Sequence, residues 1–436
     1  MARLKWVYLG GGSTRAPGTM ASFVAQSKNF EGSEVVLVDL EGERLELVAK
    51  LTRKLAAARG MDLTVRTTTN LTEALPDADA VLSSFRPGGF EMRYLDESIP
   101  LKHGVIGQET QGPGGFFMAL RSVAVIKELV GEMERLCPEA VLFNYTNPVN
   151  IVAEAVTHHS PIQTISLCEG PITFPRELAA AAGLDPSKVR ATMTGLNHAC
   201  WSVRHLYDGQ DIMPLIRQAY EQRKAGAETS GEPFWALWWL ELASMMDSLP
   251  ASYFQYYYYK DQRLEELQAK PTTRAQDILA AVPGYWQHYL EQLGTDAPVL
   301  DPARSRGGIH ELELAFDVMD AMFNDRREVW PVNVPNRGAL PDFPDDLVVE
   351  VPALIDVTGA TPLVQPPLPR AVVGLVKQLG EYQALTAQAA WGGDRKLAIQ
   401  ALASHPLMLS LPKTEALYSE MAHAMKAYLP NRLWRA

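Results

Sequence analysis

Side chains that can ligate metals follow apolar runs at two places in the chain. Cys168 and Glu169 come directly after the run Ile162–Leu167, and Asn197 and His198 follow Gly195. A thiolate, an imidazole and nearby carboxylate or amide oxygens can hold a divalent metal if the fold brings them together. An isolated cysteine, however, is typical of a small buried residue, and an isolated histidine is typical of a satisfied core residue. The spacing alone leaves both interpretations open.

A tyrosine-rich segment contains candidates for a general base. The segment LPASYFQYYYY spans residues 249–259 and holds Tyr253 and four consecutive tyrosines at 256–259. Four consecutive tyrosines cannot all face one partner, so we expect most of them to be packing aromatics. A tyrosine that acts as a base needs a nearby cation or metal to lower its pKa.

A glycine-rich turn follows the first apolar run, Trp6–Leu9. The turn contains Gly10, Gly12 and Ser13, and Asp39 closes the second apolar run, VVLVDL. Glycines at a strand-to-helix turn let the backbone approach a pyrophosphate, and an acid at the end of the second strand favours NAD over NADP. Arg15 stands where the usual third glycine would be. The alternative is an ordinary tight turn followed by a solvated aspartate.

A fourth candidate region is the glycine-rich and charged segment 86–115, which includes Arg93, Gln108 and Glu109. It follows the fourth predicted strand, at the carboxyl edge of the predicted sheet, where ligands bind in open α/β folds. We expect a long loop here. Long ordered loops in compact domains are usually functional, although a long solvated loop is the alternative.

The elements that must position these residues alternate in type through the first half of the chain. Helix-like stretches such as Glu43–Arg59 and Ala119–Leu136 separate short apolar runs, listed as Trp6–Leu9, Val35–Leu40, Leu63–Arg66, Ala80–Phe85, Val141–Tyr145 and Ile162–Leu167. Such alternation predicts an α/β fold with a Rossmann-like, doubly wound parallel sheet over residues 1–195. Residues 196–436 mix helical patterns with short strands near 331–351, which predicts a second, α+β domain.

Composition and net charge argue against some classes of protein, namely nucleic-acid binders and membrane-spanning proteins. The chain has 436 residues and a net charge of −11, so we expect no nucleic-acid partner, and an anionic substrate would need local positive groups. No apolar run approaches the length of a membrane span, and the N-terminus lacks a secretory pattern, which predicts a cytoplasmic enzyme. The apolar segment WALWW at 235–239 predicts a subunit interface and hence a homo-oligomer, either a dimer or a tetramer.

Read together, these motifs resemble glycoside hydrolase family 4, the NAD- and manganese-dependent glycosidases. The resemblance covers nearly the whole chain; its matching motifs are GGGST at 10–14, VDL at 38–40, FRPGGFEMRYLDESIPLKHGVIGQETQGPGG at 85–115, NYTNP at 144–148, Cys168 with Pro171, GLNHACW at 195–201, LPASYFQYYYY at 249–259, RGG at 306–308, VNVPNRG at 332–338 and VVEVP at 348–352.

The resemblance implies hydrolysis by oxidation, elimination and addition. In this family, NAD takes hydride from sugar C3, a base removes the acidified C2 proton, the aglycone leaves, water adds at C1 and the hydride returns. The implied cofactors are therefore NAD and Mn²⁺ or another divalent metal, which acts as a Lewis acid on sugar oxygens.

The resemblance also implies roles for individual residues. They are Cys168 and His198 as metal ligands, Tyr253 as the C2 base with Tyr256 as the fallback, Glu169 as the general acid, Asn147 and Arg93 at the sugar, Ser13 and Arg274 near a substrate phosphate, and Gly10, Gly12, Ser13 and Asp39 in the NAD site.

The leading expectation is a 6-phospho-β-glucosidase, because RPGGFEMR at 86–93 is closer to the β-acting branch. Glu169 is closer in chemistry to the aspartate of the α-acting branch, so a 6-phospho-α-glucosidase stays open. A family 4 enzyme for an unphosphorylated or uronic sugar is a further alternative. From another class, an NAD-dependent 2-hydroxy acid dehydrogenase would share the sheet but would need no Cys–His metal site.

Overall fold

We describe the protein from a computed structural model, which covers residues 1–230, 237–306 and 313–435. Part of the segment WALWW, and two residues of the RGG motif, lie outside these described residues.

One mixed sheet runs through the molecule. Its strands are β1 (Lys5–Leu9), β2 (Ser33–Val38), β3 (Leu63–Thr68), β4 (Ala80–Ser83), β5 (Val141–Asn144), β6 (Thr164–Ser166), β7 (Val189–Leu196), β8 (Ala199–Tyr207), β9 (Gln210–Asp211), β10 (Glu328–Pro335), β11 (Val348–Asp356) and β12 (Gly359–Pro362).

Helices cover both faces of this sheet. They are α1 (Ala16–Ala25), α2 (Gly42–Ala58), α3 (Leu71–Ala74), α4 (Gly89–Lys102), α5 (Gly112–Leu136), α6 (Val149–His159), α7 (Gly170–Ala181), α8 (Met213–Ser230), α9 (Trp238–Met246), α10 (Gln255–Tyr258), α11 (Lys260–Ala269), α12 (Arg274–Leu293), α13 (Glu313–Phe323), α14 (Arg370–Gly392), α15 (Arg395–Ser404), α16 (Leu411–Ala424) and α17 (Asn431–Trp434).

The strand order is β3-β2-β1-β4-β5-β6, followed by β10-β11-β7-β8-β9, with β12 paired to β11. The first six strands are parallel. The chain order reverses between β1 and β4, which is the switch point where ligands bind in doubly wound sheets. The predicted α/β fold with a parallel Rossmann-like sheet is therefore confirmed. Strands from the second half of the chain join the same sheet, because β10 pairs with β6.

Alternate residues of the parallel strands enter different cores, as the period of two requires. Trp6 and Tyr8 face the core formed with α1, α2 and α13, whereas Val7 faces the core formed with α5 and α14. Apolar residues on both faces explain why these strands read as continuous apolar runs in the sequence.

The expectation of a long loop over residues 86–115 is wrong. Most of the segment forms α4 and the start of α5. Gly88 adopts a left-handed conformation just before α4 begins, and Pro100 lies in the last turn of that helix, so neither residue interrupts it. Arg93 and Glu97, one helical turn apart, form an ion pair that supports the helix. Among the described residues, every helix is too short or too polar to traverse a lipid bilayer.

Candidate active site

The turn after β1 is built to let a ligand approach its backbone. Gly10 has φ +102°, and a Cβ there would lie 2.1 Å from the carbonyl oxygen of Ser84. The Gly12 amide donates to Asp39 Oδ2 at 2.9 Å, and the Leu40 amide donates to Asp39 Oδ1 at 2.7 Å. The first acid after β2 is thereby fixed beside the glycine turn and the start of α1. This cradle, which a larger residue would fill, fits the pyrophosphate and ribose of a dinucleotide.

Cys168 lies between the end of β6 and the start of α7. Its Sγ accepts a hydrogen bond from the Gly170 amide at 3.4 Å. Burial, followed by the nearby Glu350 carboxylate, raises the pKa of the Cys168 thiol to about 12. Glu169, the next residue, caps α7, and its backbone oxygen accepts from Ile172 and Thr173.

His198 occupies the tight turn between β7 and β8. Leu196 pairs with Ala199, so Asn197 and His198 form the whole connection, and His198 takes a left-handed conformation with φ +61°. Such strained positions in non-glycine residues cost about 1–3 kcal/mol and cluster at functional sites. Burial lowers the pKa of His198 to about 4, so the imidazole is neutral at pH 7 and can act as a ligand.

Tyr253 stacks face to face on the His198 ring. The two ring centroids are 3.8 Å apart and the ring planes differ by 10°. Burial raises the pKa of Tyr253 well above its usual value, and the next largest cause is Cys168. Burial also raises the pKa of Tyr256, the fallback base, to about 12. As predicted, other tyrosines of the segment serve packing; for example, the Tyr259 hydroxyl donates to Glu241 at 2.6 Å.

Cys168 and His198 fit a metal that is completed by substrate. The described residues contain no cluster of three or more His, Cys, Asp and Glu side chains that could hold a metal. If Cys168 and His198 hold a metal, they would offer it one soft and one borderline ligand, and a divalent ion would take its remaining ligands from substrate oxygens or water.

A buried carboxylate holds the turn that carries His198. Glu350, on β11, accepts hydrogen bonds through Oε1 from Asn197 Nδ2 and Asn333 Nδ2, both at 3.0 Å. Burial raises the pKa of Glu350 to about 7. The motif VVEVP contains this residue, but nothing in the spacing indicates its role, because its partners lie on other strands.

The three predicted substrate residues differ in their placement. Arg93 is buried, with its Nε 2.7 Å from Glu97 Oε1 and its Nη1 3.0 Å from Glu109 Oε2. Asn147 follows β5, and its Oδ1 is buried with no partner in the described part of the chain. Arg274 is exposed at the start of α12, next to Ala275, whose amide donates to Glu97 Oε2 at 2.8 Å.

The fold brings together a cluster of arginines that no motif in the sequence indicates. Arg86 and Arg93 form ion pairs with Glu109, and although burial raises the pKa of Glu109, these two arginines, followed by Arg15 and Arg306, hold it below its usual value. Arg306 lies over the ring of Phe90, 4.4 Å from its centroid. Burial, followed by Arg15 and Arg86, lowers the pKa of Arg306 to about 9. These arginines come from three separate segments of the chain, around residue 15, residues 86–93 and residue 306, so only the fold brings them together.

Two family models cover most of the chain. The model described as family 4 glycosyl hydrolase matches residues 5–184, and the model of the family's C-terminal domain matches residues 193–408. The chain belongs to glycosyl hydrolase family 4.

Relatives in this family include both phosphoglucosidase types. A probable 6-phospho-beta-glucosidase from Bacillus subtilis is 35% identical over 435 residues, covering 98% of both chains. A solved 6-phospho-alpha-glucosidase from gut microorganisms, in complex with NAD and Mn²⁺, has 25% identity and a TM-score of 0.86, covering 98% of this chain and 99% of that chain. The solved 6-phospho-beta glucosidase from Thermotoga maritima, with NAD and glucose-6-phosphate, has 26% identity and a TM-score of 0.83, with the same coverage.

The described tryptophans of the segment WALWW pack within the chain. Trp238 is buried, and the Trp239 indole donates to the Pro250 carbonyl oxygen at 3.0 Å. Residues 235 and 236 lie outside the described residues. A homo-oligomer stays a prediction, which light scattering would check.

Proposed function

We propose that this family 4 enzyme hydrolyses 6-phosphoglucosides, with NAD and a divalent metal such as Mn²⁺ as cofactors. The observation that carries the proposal is the arginine cluster beside the Cys168–His198 pair. Burial is the largest cause of the lowered pKa of Arg306, and the charges of Arg15 and Arg86 lower it further, so the positive groups of the cluster lie close enough to repel one another. Such a cluster suits a sugar phosphate in a chain whose net charge is −11.

The cluster and the metal pair are neighbours. The charge of Glu109 opposes the effect of burial on the pKa of His198, and it also acts on the pKa of Tyr253. A sugar held between them would present its phosphate to the arginines and its ring hydroxyls to Cys168 and His198. A phosphate monoester carries a charge of about −1.5 to −2 at pH 7 and would be attracted to neighbouring arginines.

Each residue then has a defined task. The backbone of the glycine turn binds the pyrophosphate, and Asp39 accepts hydrogen bonds from ribose hydroxyls. Cys168 and His198 hold the metal. When bound, NAD supplies reversible hydride acceptance at sugar C3, and the metal polarises the adjacent sugar oxygens.

The remaining side chains act on the sugar itself. Tyr253 removes the C2 proton, and a metal cation beside its ring would counter the effect of burial on its phenol. Asn147 presents a buried amide oxygen to a sugar hydroxyl, and Arg93 supplies charge at the ring. Glu169 protonates the leaving oxygen. Arg274 and Ser13 assist at the phosphate, although Arg274 is exposed in the ligand-free chain.

The β-anomer is the proposed substrate, because the relative at 35% identity is named a probable 6-phospho-beta-glucosidase. The α-anomer is a second candidate, because Glu169 places a carboxylic acid beside the metal ligand Cys168. Since a phosphorylated sugar is too strongly charged to cross a bilayer unaided, we place the reaction in the cytoplasm.

The test is hydrolysis of the α and β forms of nitrophenyl glucose 6-phosphate, with NAD⁺, Mn²⁺ and a thiol reductant, followed by omission of each component. We expect cleavage of the β form that requires NAD⁺ and metal without accumulation of NADH. Cleavage of only unphosphorylated sugars or uronides would overturn the substrate. Stoichiometric release of NADH from a 2-hydroxy acid would indicate a dehydrogenase instead.

A further inference from the structure

The segment before α5 contains a hydrogen-bond network whose directions can be worked out. Gln108 Oε1 accepts hydrogen bonds from the backbone amides of Thr110 and Gln111 at 2.6 and 2.7 Å. Because backbone amides only donate, this atom must be the carbonyl oxygen of the side chain and not its NH₂ group. The orientation of Gln108 is thereby fixed.

The hydroxyl of Thr110 has only one proton to give. Thr110 Oγ1 lies 3.0 Å from Gln108 Oε1 and 3.2 Å from His198 Nδ1. Gln108 Oε1 can only accept and is the nearer of the two atoms, which favours a hydroxyl proton directed to Gln108 and a lone pair of Thr110 directed to His198. With that direction, the His198 nitrogen on this side carries the hydrogen.

A second donor to Thr110 is consistent with this direction. Gln111 Nε2 lies 3.4 Å from Thr110 Oγ1, and Gln111 Oε1 accepts from the Tyr257 hydroxyl. The amide of Gln111 is thus oriented by Tyr257, with its NH₂ group towards Thr110. Each lone pair of Thr110 then has a donor, and the network from Tyr257 to Gln108 is internally satisfied.

Stacking supplies the remaining constraint on His198. Tyr253 lies parallel to the imidazole and so fixes the plane of the ring. The contact with Thr110 fixes which edge of the ring, the one with Nδ1, faces residue 110. The two contacts leave Nε2 as the nitrogen with a free lone pair.

We infer that Thr110, held by Gln108, is a positioning residue that keeps His198 in the Nδ1–H form and so presents Nε2 as the metal-binding atom. The inference rests on the proposed function only in taking Cys168 and His198 as the metal ligands; the identity of the sugar does not enter. Partners of this kind, beyond the ligands themselves, typically change metal affinity about 10- to 100-fold when they are removed.

The test measures metal binding without substrate. Co²⁺ is titrated into the full-length chain, and the thiolate-to-cobalt charge-transfer absorption from Cys168 reports occupancy. We expect Thr110→Val, which keeps the shape but loses the hydroxyl, to weaken Co²⁺ binding about 10- to 100-fold. Thr110→Ser keeps the hydroxyl and should stay within about threefold of the parent. NAD affinity should be unchanged in both variants, and thermal unfolding of the same samples checks that both are folded.

An independent arm changes Gln108. Gln108→Leu removes the acceptor of the Thr110 proton together with that of the Thr110 and Gln111 amides, so the hydroxyl proton can turn to His198 Nδ1, and we expect weaker Co²⁺ binding although Thr110 is intact. Gln108→Glu retains an acceptor and should restore the affinity. This arm keeps the inference testable if Thr110→Val does not fold.

Three outcomes would overturn the inference. Wild-type affinity in Thr110→Val would remove the positioning role. Equal loss in Thr110→Ser and Thr110→Val would assign the effect to packing rather than to the hydrogen bond. A parent chain whose Co²⁺ binding is unchanged by Cys168→Ser would overturn the proposed metal site as well, which separates that failure from the other two.

Discussion

The proposed nucleotide side and the proposed metal side of this site are organised differently. On the nucleotide side, Gly10, Gly12 and Asp39 lie within one strand-turn-helix-strand unit, and the contacts use backbone groups. On the metal side, Cys168, His198 and Tyr253 come from separate segments, and the contacts are between side chains. A local, backbone-based site tolerates changes in distant side chains, whereas the metal side depends on tertiary packing. Variants that damage one side and spare the other test this difference.

The largest effect is expected for Cys168→Ser. Loss of the thiolate ligand should lower metal-dependent turnover at least about 10³-fold, because Lewis-acid assistance is worth several kcal/mol. Calorimetry should find NAD binding unchanged. Cys137→Ser is the control, since Cys137 ends α5 outside the site. Retained metal-dependent turnover in Cys168→Ser would contradict the proposed ligand set.

Tyr253→Phe should lower turnover about 10²- to 10⁴-fold, the usual contribution of a general base. The phenyl ring preserves the stack on His198, so Co²⁺ affinity and NAD affinity should both be retained. Tyr258→Phe provides the control, because Tyr258 packs edge-on against Trp201. If Tyr253→Phe turns over normally, the base is another residue, and Tyr256 is the next to replace.

Gly10→Ala should damage the nucleotide side alone. The new Cβ meets the Ser84 carbonyl oxygen, and φ is +102°, so we expect NAD affinity to fall at least about tenfold and stability to fall by more than about 1 kcal/mol. Gly131→Ala is the matched control: Gly131 lies within α5 with open space around it, and alanine there should stabilise the helix by about 0.5–1 kcal/mol. Equal NAD affinity in the two variants would count against the cradle.

The smallest effect is expected for Asp39→Asn. Loss of one charged acceptor should weaken NAD binding about two- to tenfold, the value of one hydrogen bond, and should reduce the preference over NADP. Glu41→Gln, two residues further on and exposed, should leave both affinities unchanged. An unaltered preference between the two nucleotides in Asp39→Asn would place the ribose elsewhere.

Sequence patterns predict the nucleotide side, whose residues lie close together in the chain, better than the metal side, whose residues meet only in the folded protein. The glycine turn and Asp39 are recognisable because a strand, a turn and a helix of fixed lengths set their positions. Gln108 lies in a segment that the sequence singles out, but the link from Thr110 to His198 spans 88 residues and depends on the fold. The same holds for Arg306, which joins Arg15 and Arg86 only in three dimensions. The many glycines and charges of segment 86–115 lead to the wrong prediction of a long loop, because Gly88 lies just before α4, and Gly112, Gly114 and Gly115 lie in the first turn of α5.

Strands β10 and β11 lie between β6 and β7 in the sheet, although they come later in the chain, and this order determines how early the site can form during synthesis. Asn333 of β10 pairs with Ser166, two residues before Cys168, and Glu350 of β11 pairs with Gly195, three residues before His198. The segments that carry the proposed ligands Cys168 and His198 are therefore joined through β10 and β11. The paired residues of these strands, Asn333 and Glu350, are synthesised more than 130 residues after His198. Contacts of such high sequence separation form late, because closing long loops costs entropy first. A nascent chain can complete its glycine turn early, but it cannot assemble the proposed metal site until β11, which ends at Asp356, has been synthesised.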